Sequence, residues 1–386
     1  MEEMNEIFYK NAYQKEFDAT VLSCEKGKDG WEIILSDTAF YPEGGGQPGD
    51  RGTLNGTVIT DTRRKDEKIV HYGKDRLDVG EKVHGKIDWP RRFDYMQNHS
   101  GEHIFSGLVH KKFGYDNVGF HMADDVVTID FNGIMTMEEA LLTEEEANEI
   151  IYGNEDVRIF LPDTDELRNL DYRSKKELTG PVRIVEFKGA DICACCGTHV
   201  KKTGEIGMIK VISLINHKGG VRLQMVCGKR ALAHFDKVDE ANREIGKIFS
   251  AKPYETAEAA AHFAEEQIRL REKINELNKK YMKARAELLP SEKICILAEE
   301  GMTMMEIRKF CEYLLKEEKG EICAVLSPKD ENGYNYAIGS NSVNLRNKLK
   351  DWNEKLHGKG GGKPEMVQGS FSSDLETIKS VLSEKE

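Results

Sequence analysis

Over residues 1 to about 90, apolar and polar positions alternate in short runs such as "EFDATVLSC", "WEIILSD", "GTVITDTRR" and "KIVHYG", broken by Gly, Asp and Asn. Period-two runs between turn residues predict half-buried strands, and a small β-barrel is the economical way to close them. At "DWPRRFDYMQNHSGEHIFSGLVHKKFG" the period becomes helical. Pro90 suits the first turn, Met96, Ile104, Phe105, Leu108 and Val109 supply the apolar positions, and Gly114 is the stop. Strands and a helix then alternate to about Arg230, with "VRIVEFKG", "GMIKVISLINH" and "GVRLQMVCG" reading as strands.

Two helices follow. The first is "ALAHFDKVDEANREIGKIF", and "SAKPYE" makes the break. The second carries Ala260, Phe263, Gln267, Leu270, Ile274, Leu277, Tyr281, Ala284 and Leu288 in alternating steps of three and four, a heptad seam that ends at Pro290. An antiparallel helical hairpin linking two domains is expected, with a coiled coil between chains as the alternative. Beyond it "KICILA", "MTMMEIRKFCEYLLKE", "EICAVLS" and "GYNYAIGS" read β-α-β-β. A glycine loop and a last helix from about Ser372 complete a small α/β domain. The expected fold class is α+β: barrel at 1–90, an α/β domain at 91–230, a helical linker at 231–290 and the C-terminal α/β domain at 291–386.

Composition narrows the function classes. At 386 residues the chain can bury two or three cores. No apolar run approaches the roughly 18 residues of a membrane span, and the first residues lack a signal-peptide pattern, so a cytoplasmic, membrane-free protein is expected. Eight scattered or clustered cysteines suit thiols or metal ligands rather than a disulfide framework. A net charge of −12 argues against indiscriminate nucleic-acid binding. The charge is uneven, however: Ala123–Asp156 holds eleven acidic and no basic residues, Val200–Arg230 carries +6, and Val343–Pro364 carries +4. Such an acidic chain can still grip a polyanion on one face.

Candidate chemistry lies in two spaced pairs. His99 and His103 in "NHSGEHIF" stand four apart on one helical face, and Cys195 and His199 in "CACCGTHV" repeat that spacing. Three imidazoles and a thiolate make a complete tetrahedral set for zinc. "HSGEH" also fits the H-x-x-E-H of inverted zinc peptidases, with Glu102 as base, but that reading leaves Cys195 and His199 without purpose. Cys193 and Cys196 form a C-x-x-C that lacks the second pair a zinc ribbon needs. A closed four-ligand shell can be purely structural, and that alternative stands beside a catalytic one.

The stretch "TAFYPEGGGQPGDRG" bears on that choice. Taken with "NHSGEH", "CCGTH", "TGEIG" and "GVRLQMVCG" in this order, it resembles the editing domain of alanyl-tRNA synthetases and their freestanding relatives of the long type. "HGKGGGKPEMVQG" resembles the glycine-rich signature of the DHH-associated domain that ends those synthetases. The resemblance covers nearly the whole chain. It implies a hydrolase that removes a wrong amino acid, chiefly serine, from alanine tRNA, with glycyl-tRNA as a further possible substrate. It also implies one zinc on His99, His103, Cys195 and His199, with Cys196 standing where relatives carry glycine. Thr38 matches the substrate-sensing hydroxyl. Gly44, Gly45 and Gly46 would present backbone N–H groups to the terminal adenosine, with Gln47 orienting them. Lys359, Gly360, Gly361, Gly362 and Lys363 would lie along tRNA phosphates, and the C-terminal half could form a homodimer. A non-catalytic tRNA-binding protein with a structural zinc is the alternative.

Overall fold

The computed structural model describes residues 6–28, 30–174, 181–330 and 333–384. The chain divides into two compact units, Met1–Glu244 and Ile245–Glu386. After a short helix α1 (Ile7–Lys10), the first unit begins with β1 (Glu16–Lys26), β2 (Trp31–Leu35), β3 (Gly52–Leu54), β4 (Thr57–Lys65), β5 (Lys68–Gly73) and β6 (Lys82–Ile87). These close into an antiparallel barrel in the order β1-β2-β5-β4-β3-β6. The alternation seen in the sequence becomes a barrel interior of Phe17, Val21, Ile33, Phe40, Ile59 and Val83.

Helix α2 (Trp89–Phe113) follows, capped by Asp88 and stopped by Gly114 in the left-handed region at φ 70°. Around it run β7 (Asn117–Met122), β8 (Val127–Phe131), α3 (Met137–Tyr152), β9 (Arg158–Phe160), α4 (Thr164–Asn169), β10 (Ile184–Phe187), β11 (Asp191–Ala194), β12 (Ile209–His217) and β13 (Gly220–Cys227). They form a four-stranded sheet β12-β13-β8-β7 and a three-stranded sheet β11-β10-β9. Every residue of α2 from Tyr95 to Val109 is buried. A helix enclosed on all sides needs places where its neighbours come close, and two glycines supply them. A Cβ on Gly101 would meet Cys227 Sγ at 2.3 Å, and one on Gly107 would meet the Ala190 carbonyl at 2.5 Å.

The barrel is fastened to α2 by a buried ion pair. Arg92 Nε donates to Asp50 at 2.9 and 3.0 Å, and its Nη groups donate to the Ala39 and Ala12 carbonyls at 2.8 and 2.9 Å. Asp50 also accepts the Tyr41 amide at 2.6 Å. Both ends of the glycine stretch are therefore tied to one point on α2.

The charge runs meet each other. Lys202 pairs with Asp156 at 3.1 Å, Lys210 with Glu144 at 2.7 Å and Arg222 with Asp130 at 2.6 Å. The basic segment at 200–230 thus spends much of its charge on the acidic segment at 123–156, because β12 and β13 fold back against α3 and β8.

Helix α5 (Gly228–Phe249) crosses from the first unit into the second, which continues with α6 (Thr256–Glu287), β14 (Ile294–Ala298), α7 (Met304–Lys316), β15 (Ile322–Asp330), β16 (Gly333–Ser340), α8 (Leu345–Lys355), β17 (Lys359–Lys363), β18 (Met366–Phe371) and α9 (Leu375–Ser383). Helix α6 is one continuous element, and its seam residues Phe263, Leu270, Ile274 and Leu277 are exposed. The sheet runs β14-β15-β16-β18-β17, with β14 and β15 parallel. Two expectations are corrected here. The run "KGGGK" is an exposed edge strand rather than a loop, since it pairs residue by residue with β18. Glycine is needed because Tyr336 lies across that end of the sheet; a Cβ on Gly360 would meet its hydroxyl at 2.0 Å. Helix α8 was not anticipated, although Leu345, Leu349, Trp352 and Leu356 bury one face behind an Asn344 cap.

Removing one member of a buried ion pair strands the other charge, at a cost of about 3–5 kcal/mol. Asp50→Ala should lower the unfolding free energy of the first unit by about that amount. Denaturant unfolding monitored by near-ultraviolet circular dichroism will check it, and an unchanged midpoint would remove the pair from its anchoring role.

Candidate functional site

The glycine stretch is a tight turn. Gly44 and Gln47 exchange both backbone hydrogen bonds at 3.0 Å, with Gly45 at φ 59° and Gly46 at φ 83° between them. Two consecutive left-handed residues define a hairpin turn that non-glycine residues resist. Gly46 is also sterically required, because a Cβ there would meet the Phe120 ring at 2.3 Å. The Gly44 amide is thus already bonded within the turn, and the turn's main product is the placement of Gln47. That side chain is fully buried. Its Oε1 takes His99 Nδ1 at 3.0 Å and the Thr198 amide at 3.1 Å, while its Nε2 donates to Thr198 Oγ1 at 2.8 Å.

His99, His103, Cys195 and His199 converge, with their donor atoms all within 4.8 Å of one another. The three histidines are 1–2% exposed. Cys195 Sγ lies 3.3 Å from His199 Nε2 and 3.6 Å from His99 Nε2. Tetrahedral bonds of about 2.0–2.3 Å place ligand atoms roughly 3.3–3.8 Å apart, a range that includes both Cys195–imidazole distances, so the donor set suits zinc. Cys196 is exposed and stands outside the cluster.

Hydrogen bonds on the far side of each ring aim the donors. Because Gln47 Oε1 can only accept, His99 Nδ1 carries the proton and Nε2 is left as a lone pair. His103 Nδ1 meets Asp191 at 2.9 Å, and Arg173 holds that carboxylate at 2.8 and 2.9 Å. Burial would raise the Asp191 pKa, but the bonds from His103 and Arg173 outweigh it and keep the group ionised. His199 Nδ1 faces Ser100 Oγ at 3.2 Å. Burial holds the His199 pKa down at about 3, so it is a neutral donor. Burial also opposes ionisation of Cys195, yet the surrounding histidines prevail and hold its thiol well below its ordinary range. Burial opposes a charge on His103 as well, yet the Cys195 thiolate and Asp191 outweigh it and hold its pKa well above the ordinary range; a bound metal would take the place of that proton.

Two further features shape the site. A Cβ on Gly197 would meet His99 Cε1 at 2.1 Å, so the Cys195–His199 loop closes onto the ring only through glycine. Arg183, buried at 6% exposure, holds that loop from behind by donating to the Cys195 and Gly197 carbonyls at 2.7 and 3.0 Å. Thr38 belongs to a separate hydrogen-bonded group. Its hydroxyl is buried against His71 Nε2 at 2.8 Å, and no hydrogen bond among the described residues joins it to the four donors. The strand Lys359–Lys363 belongs to the other unit. Sequence reasoning missed Asp191, Ser100, Arg173, Thr198 and Arg183, whose partners are 12 to 151 positions away.

The geometry sets an expectation for metal binding. Cys195→Ala should abolish stoichiometric metal, whereas Cys196→Ala should retain it. Gln47→Leu, which frees the His99 ring, should weaken affinity about 10- to 100-fold. Elemental analysis and competition with a chromophoric chelator measure all three. Full retention in Cys195→Ala would overturn the ligand set.

Residues 2–91 match the family model described as tRNA synthetases class II (A), residues 182–224 the threonyl and alanyl tRNA synthetase second additional domain, and residues 291–385 the DHHA1 domain. The chain is 30% identical to alanyl-tRNA editing protein AlaX-L of Pyrococcus horikoshii, over 98% of this chain and 97% of that protein. It is 30% identical to alanyl-tRNA editing protein Aarsd1 of Danio rerio over 59% of this chain and 60% of the relative. Similarity to the alanine–tRNA ligase of Pyrococcus abyssi is 28% over 98% of this chain, but over only 43% of that longer protein. No helix among the described residues is long and apolar enough to cross a membrane. With the match to the Pyrococcus horikoshii protein running almost end to end, the chain belongs to the alanyl-tRNA editing protein family.

Proposed function

We propose that this protein acts in trans on alanine tRNA carrying the wrong amino acid, chiefly serine, and hydrolyses the ester to the terminal adenosine. As a member of its family the chain is an aminoacyl-tRNA deacylase. The observation that carries the finer reading is the meeting of the glycine turn with the four donors through the Gln47–His99 hydrogen bond.

One zinc per chain, held by His99, His103, Cys195 and His199, would supply a Lewis acid able to polarise an ester oxygen or anchor the substrate's amino group. The protein's own residues do the positioning. Gln47, Asp191 and Ser100 fix the three rings, and burial keeps bulk water from them. Gly45 is exposed, with open space where a side chain would stand, and offers the terminal adenosine a close approach to backbone. Selecting alanine over serine by size alone reaches only about 10²-fold, because a pocket rejects an added hydroxyl poorly. An editing site inverts the task. A polar group that bonds the serine hydroxyl favours serine, and alanine leaves that group unpaired. Thr38 is the group we assign to this role.

Grip on the tRNA body falls to the second unit. Lys359 and Lys363 flank three glycines on an exposed strand edge, where backbone N–H groups and two cations can lie along phosphates. The exposed seam of α6 supports a homodimer through the C-terminal half, and the reduced cysteines suit the cytoplasm.

Two measurements test the proposal. Purified protein should hydrolyse seryl-tRNA for alanine much faster than correctly charged alanyl-tRNA. Equal rates would sink the serine assignment, and rates no faster than spontaneous deacylation would favour a binding protein with a structural metal. Replacing Lys359 and Lys363 by Ala should weaken tRNA binding. Its log–log salt slope should flatten by up to about 0.9 per lost duplex phosphate contact. Unchanged affinity and slope would move the tRNA site away from β17.

A further inference from the structure

Thr38 and His71 form a buried pair inside the barrel that the metal chemistry does not use. His71 is fully buried on β5, with Nδ1 3.1 Å from the Ile33 carbonyl. A carbonyl can only accept, so Nδ1 carries the ring proton and Nε2 presents a lone pair. Thr38 Oγ1 sits 2.8 Å from that nitrogen and must donate its single proton to it. The same oxygen accepts the Phe40 amide at 3.0 Å. A hydroxyl has one proton and two lone pairs, so one lone pair of Thr38 remains. Both residues line a cavity of about 360 Å³, bordered also by Ser36, Asp37, Arg64 and Lys68.

We propose that His71 is a positioning residue that makes Thr38 a hydrogen-bond acceptor only, so that this subsite reads an O–H donor on the aminoacyl side chain. The proposal rests on the reading of Thr38 as the sensing group. Serine supplies such a donor, whereas glycine and alanine supply none. A threonine free to rotate could instead offer its proton to water or to any acceptor, and the discrimination would blur. Burial depresses the His71 pKa to about 4, so the ring stays neutral and its Nε2 remains an acceptor at physiological pH. Phe40 packs edge-on against the ring at 5.3 Å and holds it in place.

Two amide substitutions separate the bonds. In His71→Asn the amide nitrogen can keep the Ile33 bond but the side chain falls short of Thr38. In His71→Gln the longer side chain reaches Thr38, and its oxygen can still take the proton. The readout is the seryl-to-alanyl ratio of kcat/KM for the full-length, zinc-loaded protein on charged alanine tRNA, with zinc content measured alongside. Thr38→Val should lower the ratio up to about tenfold. His71→Asn should lower it as far while zinc content holds, His71→Gln should retain most of it, and Thr38→Val with His71→Asn should fall no further than Thr38→Val alone. A normal ratio in His71→Asn beside a lowered one in Thr38→Val would overturn the proposal and leave the sensing role intact. An unchanged ratio in Thr38→Val would overturn the sensing role itself. Equal loss in the Asn and Gln variants, with zinc lost as well, would reduce His71 to a structural residue.

Discussion

The buried ion pair between Arg92 and Asp50 is the constraint on which the site depends. Arg92 stands on α2 two turns before His99, and Asp50 closes the segment that contains the glycine turn. One guanidinium therefore fixes the barrel, the start and end of that segment, and the helix that carries His99 and His103 of the donor cluster. Nothing softer would serve. Gln47 must hold His99 Nδ1 within hydrogen-bond reach, and a shift of an ångström between barrel and helix would break that bond.

The site is built in layers around this anchor. The inner layer is the four donors; the next is Gln47, Asp191 and Ser100, one polar group behind each ring. Behind Asp191 stands Arg173, and behind the Cys195–His199 loop stands Arg183. Each layer removes a freedom the previous one leaves: proton position, ring rotation, loop position. Gly46 and Gly197 belong to the same construction, since each lets a backbone segment close onto an aromatic ring where any side chain would collide. The same logic recurs in the barrel, where the Ile33 carbonyl, His71, Thr38 and the Phe40 amide form a chain with every proton position determined.

Particular elements show where sequence reasoning reached its limit. The barrel strands, α2 from Pro90 in its first turn to the Gly114 stop, and the β-α-β-β order of the second unit were legible because they follow from local periodicity and helix signals. The four donors were legible because their spacing repeats. The strand β17 was not: three glycines read as a loop, and only the packing shows why Gly360, under the Tyr336 hydroxyl, and Gly362, against the Met366 carbonyl, belong in a strand. The basic run at 200–230 was legible as charge, but not that Lys202, Lys210 and Arg222 meet Asp156, Glu144 and Asp130 across the fold. Gln47 was singled out in the sequence without its side-chain partners, since its bonds to His99 and Thr198 span 52 and 151 positions.

By itself the sequence determined which residues are chemically able to act and which local elements carry them. Period, caps, glycine clusters and donor spacing are properties of neighbours along the chain, and covalent geometry turns them into strands, helices and turns. The tertiary structure alone decided how those residues are used: which ring nitrogen carries a proton, which thiol of the Cys195–Cys196 pair joins the donors, which charges are spent internally and which hydroxyl keeps a lone pair. The reason is physical. Proton position, ionisation and steric permission are set by atoms within a few ångströms, and in a folded chain most of those atoms come from far away in sequence.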